Sequence, residues 1–373
     1  MSLTLYVDGD RWRAHLRSVL EHQPLLVPVA KGNGYGFGNG RLARRAQWLG
    51  VDTIAVGTYD EVADVADRFH GDILVLTPWR PFSPVVDNPR VIHTVGRLED
   101  LTALASSGRR SRVVLERMTS MARHGFTARG LRDAGKLVST SSTTGRTSST
   151  TGGVVVEGAA LHLPLAKGSH LSEVERLMTD IVAAGLDKLD HPDKLDQRKG
   201  STIWVSHLSN QELTALSARY PDFTFRPRIG TGLWLGDRDA LSVKATVLDV
   251  HPVERGDVFG YRGRSAPRNG TILVVSGGTA HGIGLEAPTG EASIRARAAS
   301  LARGGLDAAG FVRSPYTVGG KQRLFAEPPH MQASMLFLPS GSDVPAVGDE
   351  IDVRVRYTAT DVDRVEISQP RPR

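Results

Sequence analysis

Eight apolar runs of strand length, most of them separated by helical patterns, constrain this chain more than any other feature. They are Leu25 to Ala30, Thr53 to Val56, Ile73 to Leu76, Val91 to Val95, Val113 to Glu116, Val154 to His162, Ile203 to Ser206 and Thr224 to Arg228. A short apolar run bounded by turn residues reads as a buried strand. Between these runs, helical spacing recurs in Leu42 to Leu49, Glu61 to Phe69, Arg97 to Ala105, Ala128 to Val138, Leu171 to Ala184 and Gln211 to Arg219. Strands alternating with helices pair in parallel, because each helix carries the chain back across the sheet. The pattern therefore predicts an α/β fold, a (β/α)8 TIM-type barrel, with its chemistry at the C-terminal ends of the strands.

From Asp237 onward the helical period disappears. Val243 to Val250, Thr271 to Ser276, Met335 to Leu338 and Ile351 to Tyr357 read as strands between Gly, Pro and Asp turns. Two domains are expected, a barrel over 8–236 and a mainly β C-terminal domain over 237–373. Two stretches interrupt the barrel pattern. Ser139 to Gly153 is almost entirely Ser, Thr and Gly around Arg146, and Asp187 to Gly200 is dominated by charge. Both read as mobile surface insertions, with too little apolar surface to bury. Neither has the spacing of a metal site.

A chain of 373 residues with 40% hydrophobic and 23% charged content is expected to build a sizeable soluble core. The absence of cysteine excludes disulfides, thiolate metal sites and a cysteine nucleophile. No apolar run is long enough to span a membrane, and Met1 to Asp10 lacks a basic segment followed by a long apolar one, so the expected location is the cytoplasm. The net charge of +6 comes mostly from scattered arginines. Arg44-Arg45 and Arg109-Arg110 lack interleaved aromatic residues, which argues against a nucleic-acid surface.

One strand end stands out. Leu25 to Ala30 leads into Lys31, and glycine then recurs at 32, 34, 36, 38 and 40. A lysine where a buried strand emerges is partly desolvated, which lowers its pKa and frees the amine as a nucleophile or base. The spacing alone leaves open a lysine that merely snorkels to water above a glycine turn.

The stretch Lys31-Gly32-Asn33-Gly34-Tyr35-Gly36-Phe37-Gly38 resembles the lysine motif of the alanine racemase family. Lys31, Asn33, Tyr35, Gly36 and Gly38 match, and Phe37 replaces the motif's histidine. The resemblance implies that Lys31 joins pyridoxal 5'-phosphate covalently and that Tyr35 reaches its phosphate. It extends to Val113 to Phe126. There Arg123 falls on the arginine that faces the substrate carboxylate, and Glu116 falls on a carbamate-bearing lysine whose charge a glutamate can supply unmodified. Glu157-Gly158-Ala159-Ala160-Leu161-His162 resembles the strand end whose histidine lies beside the cofactor ring. Ser206 and Ser209 lie where the family approaches the phosphate. Arg226-Pro227-Arg228-Ile229-Gly230-Thr231 resembles its Arg-x-Gly strand end. Arg228 would be the partner of the pyridine nitrogen, and Gly230 and Thr231 would form the phosphate turn.

The resemblance further implies that the N-terminal strand, residues 2–7, pairs with the β domain, and that the β domain of one subunit closes the barrel mouth of a second in a homodimer. Here the sequence departs from the family. Gly278-Thr279-Ala280-His281-Gly282 carries Thr279 where the family has its catalytic tyrosine, and a threonine hydroxyl is far too weakly acidic to replace a phenol. His281, two residues on, is a candidate substitute. Met331 is retained for the substrate, followed by Gln332 in place of aspartate. The final residues, Gln369 to Arg373, read as lacking the family's terminal helix and its phosphate-directed tyrosine. The reading is an alanine racemase-like enzyme acting on a small amino acid with weakened racemisation, using Lys31 with Thr279 or His281. The alternative is a non-catalytic cofactor-binding or regulatory protein on the same fold.

Overall fold

The computed structural model describes residues 2–143, 153–165, 168–188, 201–285 and 312–369. The chain divides into two compact units. One comprises His15–Gly34 and Gly38–Gly236; the other comprises Met1–Ala14, Tyr35–Phe37 and Asp237–Arg373.

The chain begins with β1 (Leu3–Val7) and α1 (Gly9–His22). The barrel strands follow as β2 (Val27–Pro28), β3 (Thr53–Val56), β4 (Asp72–Val75), β5 (Val91–Val95), β6 (Arg110–Arg117), β7 (Gly153–His162), β8 (Ser201–Ser206) and β9 (Phe223–Ile229). Every adjacent pair is parallel. A parallel bridge between Val29 and Ala55 closes the ring. The expected (β/α)8 barrel is present. Its helices are α2 (Asn39–Leu49), α3 (Val62–Ala66), α4 (Leu98–Ala105), α5 (Ala128–Thr143), α6 (Leu171–Ala183), α7 (Asn210–Arg219) and the short α8 (Thr231–Trp234). The Ser- and Thr-rich stretch begins inside α5, and the charged stretch begins in a single turn at Leu186–Lys188. Residues 144–152 and 189–200 of these two stretches lie outside the described residues.

The barrel interior is a packed layer of Val27, Val29, Ala55, Leu74, Ile92, Val114, Ala160 and Trp204. Burial of such side chains contributes about 1.5–3 kcal/mol each and fixes which faces point inward. Toward the N-terminal ends of the strands, charges pair off. Arg112 holds Asp72 through both guanidinium nitrogens at 2.5 and 2.7 Å and Glu157 at 2.8 Å. Arg226 binds Asp52 and lies over the Trp204 ring at 4.7 Å. This floor is electrostatically satisfied, which leaves the unmatched charge at the opposite end.

In the other unit, β10 (Leu241–Val253), β11 (Val258–Phe259), β12 (Arg264–Ser265), β13 (Gly270–Ser276), β14 (Arg313–Val318), β15 (Lys321–Phe325), β16 (Ala333–Pro339), β17 (Glu350–Val353) and β18 (Arg364–Ile367) succeed one another. The order β10–β13–β16–β15–β14–β17 returns to β10, so the sheet closes on itself and leaves these strands no free edge. The N-terminal strand β1 joins this sheet, antiparallel to β10 and parallel to β18. Strands β14, β15 and β18 escape a reading by pattern. β15 buries only Phe325 and β14 carries Pro315 next to a buried Ser314, so neither shows an apolar run.

Residues 8–14 and 35–37, which the sequence reading places with the barrel, group with the β unit. Trp12 and Phe37 stack at 4.8 Å with their planes 10° apart, and both are buried. Such a pair is worth about 0.5–1.5 kcal/mol beyond its burial.

Candidate active site

Lys31 leaves the barrel one residue after Ala30, whose N–H donates to the Ala55 carbonyl at 2.8 Å. The turn that follows is held by Glu61. Its carboxylate accepts hydrogen bonds from the backbone N–H groups of Gly32 at 2.7 Å, Gly57 at 2.6 Å and Thr58 at 3.2 Å. The turn then passes through positive φ at Gly34 (60°) and Tyr35 (56°). A Cβ at Gly34 would fall 2.6 Å from the Asn39 nitrogen, so only glycine fits there. Tyr35 has no such licence. A buried tyrosine held in the left-handed region is strain of the kind that functional sites retain.

The barrel strands bring Lys31, Glu116, Arg123, His162, Ser206 and Arg228 to one end. Arg228 is buried, and its guanidinium donates from Nε to the Ser206 hydroxyl and from Nη2 to the Leu161 carbonyl, each at 3.0 Å. Burial lowers its pKa to about 10, against the nearby Glu116 carboxylate. Glu116 is itself buried on β6, and its Oε2 has no hydrogen-bond partner among the described residues. Burial raises its pKa, opposed by Arg228 and Arg123. His162 ends β7 and is pushed down to about 3, first by burial, then by the positive charges of Arg228 and Arg123. Its ring meets His207 edge-on at 5.2 Å. Lys31 is lowered by loss of water and by Arg123 and Arg228, while Glu61 opposes the shift.

Arg123 lies on the exposed loop after β6, beside Ala122 at φ 52°. Gly230 and Thr231 start α8 with Thr231 exposed, and the first N–H groups of a helical turn have no partner inside it. Ser209 is spent otherwise: it caps α7 in a reciprocal pair with Glu212. Three cations and one buried carboxylate with an unpartnered oxygen make a positively biased bowl. A doubly charged phosphate and an amino-acid carboxylate are the anions that such a donor set accepts.

In the β unit, Thr279 and His281 form a turn after β13, and Met331 precedes β16. The Thr279 N–H donates to the His330 carbonyl at 2.8 Å, and the Ala280 N–H donates to the Met331 carbonyl at 2.9 Å. The Tyr316 hydroxyl donates to the Gly277 carbonyl at 2.8 Å, which fixes the start of this turn. His281 is buried. Its Nδ1 accepts from the Gly278 N–H and its Nε2 donates to Asp363, each at 3.2 Å. Both ring nitrogens are therefore committed inside the turn, with no lone pair left for proton removal. Phe37, in place of the motif histidine, is a core residue through its stack on Trp12.

Residues 7–197 match the sequence model of the alanine racemase N-terminal domain. The chain belongs to the alanine racemase family. An alanine racemase of Mycolicibacterium vanbaalenii is 28% identical over 302 residues, covering 75% of this chain and 72% of that one. Among solved structures, alanine racemase from Bartonella henselae with covalently bound pyridoxal phosphate superposes with a TM-score of 0.67 at 16% identity, covering 98% of this chain and all of that one (100%). Histidine racemase from Leuconostoc mesenteroides superposes with a TM-score of 0.62 at 18% identity, covering 98% and 97%. The fold is thus that of the alanine racemase family. No helix among the described residues is long and apolar enough to cross a membrane.

Several residues at these turns carry no signal in the chain's pattern. Glu61 is one acid among many in an amphipathic stretch. His207 follows the β8 serine, in the left-handed region at φ 67°. Tyr357 returns from near the chain's end to the Tyr35–Phe37 turn, where a Cβ on Gly36 would lie 3.6 Å from its ring. Burial raises the Tyr357 phenol pKa, against Arg238, which lies 4.9 Å over the ring. The only sequence hint was its place at the end of the last strand-like run, and the expected lack of a terminal helix and its tyrosine over 369–373 falls, from residue 370 on, outside the described residues.

Proposed function

We propose that the protein is a cytoplasmic, homodimeric, pyridoxal 5'-phosphate-dependent racemase-type enzyme. It interconverts D- and L-alanine or moves the α-proton of a related small amino acid. The observation that carries this reading is the convergence of Lys31, Arg123, His162 and Arg228 with the unpartnered Glu116 oxygen at one end of the barrel. Family membership and the neighbours that act on two different amino acids support the reaction class.

In this reading Lys31 binds the cofactor covalently and moves a proton on one face of the substrate. Its lowered pKa increases the fraction of free amine near neutrality. Arg228 faces the ring nitrogen, and His162, neutral across the working range, lies beside the ring. Ser206, Gly230, Thr231 and Tyr35 take the phosphate. Arg123 takes the substrate carboxylate, and the family resemblance assigns Met331 from the second subunit of the homodimer to the same substrate. When bound, the cofactor acts as an electron sink and lowers the cost of removing the α-proton. Arg228 keeps its own proton, because even its lowered pKa lies well above neutrality, so the sink is moderated.

The test is direct. Purified protein incubated with pyridoxal 5'-phosphate turns yellow, and borohydride fixes a pyridoxyl group on Lys31 by peptide mapping. A label elsewhere, or none, removes the reading. Light scattering at micromolar concentration gives a dimer with cofactor present; a monomer removes the shared-site part of the proposal.

A further inference from the structure

The turn that leaves β8 carries a histidine at the barrel mouth. His207 follows Ser206 and stands in the left-handed region at φ 67°. Strain of this kind in a residue with a side chain clusters at ligand-binding turns. Its Nδ1 donates to the Leu163 carbonyl at 2.7 Å. A carbonyl oxygen only accepts, so the ring proton sits on Nδ1 and Nε2 keeps its lone pair. Nε2 has no hydrogen-bond partner among the described residues, and the residue reaches solvent. The ring meets His162, at the end of β7, edge-on at 5.2 Å. Arg228 on β9 and Lys31 after β2 both act on it through their charges. All of these residues belong to the barrel unit.

An imidazole held this way has two states of opposite chemistry. When neutral, its free Nε2 is an acceptor and repels the oxygens of an anion. With a second proton, both nitrogens donate and the ring is a cation. In the protein alone the neutral state is favoured. Partial loss of water lowers the His207 pKa, the Leu163 carbonyl opposes this, and Arg228, Lys31 and His170 lower it further. A doubly charged phosphate among these groups reverses the balance, because a nearby opposite charge favours the charged ring. We propose that His207 is a proton-linked contact for the cofactor phosphate, taking one proton from water on phosphate binding and donating it from Nε2 to a phosphate oxygen. The inference rests on the proposed cofactor reading, in which the adjoining Ser206 takes the phosphate; what it adds is a further binding residue and a proton that enters with the anion. The Nδ1–H bond to Leu163 is kept, no covalent bond to carbon changes, and one proton is taken up for each phosphate bound.

The experiment follows the His207 ring by NMR of ¹⁵N-histidine-labelled protein. The signal is assigned with His207→Asn, since asparagine tolerates the left-handed region, and with His207→Gln as a second variant. The cofactor-free protein is titrated across neutral pH alone, with pyridoxal 5'-phosphate and with pyridoxal, which lacks the phosphate. With pyridoxal 5'-phosphate the ring titrates at higher pH, and Nε2 carries a proton at pH values where the ring of the protein alone is neutral. With pyridoxal the titration stays where it was. His207→Asn weakens binding of pyridoxal 5'-phosphate by about 10–100-fold and leaves binding of pyridoxal unchanged, with circular dichroism as the folding control. A ring titration unmoved by pyridoxal 5'-phosphate, an equal shift with pyridoxal, or an equal loss of both affinities in a folded variant overturns the proposal. The cofactor reading then still stands if borohydride fixes a pyridoxyl group on Lys31. Failure of the unmodified protein to form that Lys31 adduct instead overturns the reading on which the proposal rests.

Discussion

The Glu61 carboxylate accepts the backbone N–H of Gly32 at 2.7 Å, and so grips the residue that follows Lys31. The same carboxylate holds Gly57 and Thr58 after β3, tying two strand ends together through one half-buried side chain. Glu61 is also the group that raises the Lys31 pKa against its other neighbours. One side chain therefore holds the turn after the lysine and partly offsets the lowering of its pKa by burial and Arg123.

Glu61→Gln is expected to lower the Lys31 pKa further, because the opposing charge is gone. The amide has one acceptor oxygen for three N–H groups, so stability falls by about 1–3 kcal/mol. A ¹³Cε-lysine NMR titration of the cofactor-free protein reads the first effect, and urea denaturation reads the second. An unchanged titration removes Glu61 from any role in tuning the lysine.

Arg228 and Glu116 share one buried environment. Arg228→Leu leaves the Glu116 carboxylate without its principal positive neighbour, at a cost of about 3–5 kcal/mol. Arg228→Lys keeps a charge but loses the fork that reaches Ser206 and Leu161, and recovers only part of that loss. Urea midpoints of the two variants against the unmodified protein check the order.

Stability should fall with acid in a defined window. His162 is lowered from 6.5 to about 3 and His93 from 6.5 to about 4, both chiefly by burial. Above pH 6.5 neither the folded nor the unfolded state protonates these rings, and their contribution is fully present. Below it the unfolded state binds protons that the folded state refuses, so stability declines as pH falls, His93 ceasing to contribute to the slope near pH 4 and His162 near pH 3. Denaturation midpoints between pH 7 and 4 should drop in the unmodified protein, and the drop should be shallower in His93→Gln and in His162→Gln.

His281→Ala exposes a different kind of dependence. It leaves the buried Gly278 N–H without its present partner, while the exposed Asp363 keeps the Leu3 N–H. The expected cost is about 1–3 kcal/mol of stability, read from thermal or urea unfolding. A variant as stable as the parent removes the structural role assigned to this imidazole.

The barrel was legible in the chain because its signal is local. A strand buried on both faces must be apolar along a short run, and a helix covering it must repeat apolar residues every three to four positions; Thr53–Val56 and Leu171–Ala183 show both rules. Lys31 was legible for the same reason, as one charge at the end of such a run followed by glycines. Strands β14, β15 and β18 were not, since half-exposed strands are defined by what they pair with.

The sequence by itself determined the alternation of elements, and so the parallel barrel and the end of it where chemistry can lie. Tertiary structure alone decided which charges meet there. Lys31, Glu116, Arg123 and Arg228 are spread over nearly two hundred residues, and their mutual pKa effects arise only when strands β2, β6 and β9 close into a ring. It also decided the fates of two histidines that look alike in the chain. His281 is locked at both nitrogens by Gly278 and Asp363, whereas His330 is held at one nitrogen by Glu327. Hydrogen-bond partners come from the folded surroundings of a ring, which spacing along the chain does not show.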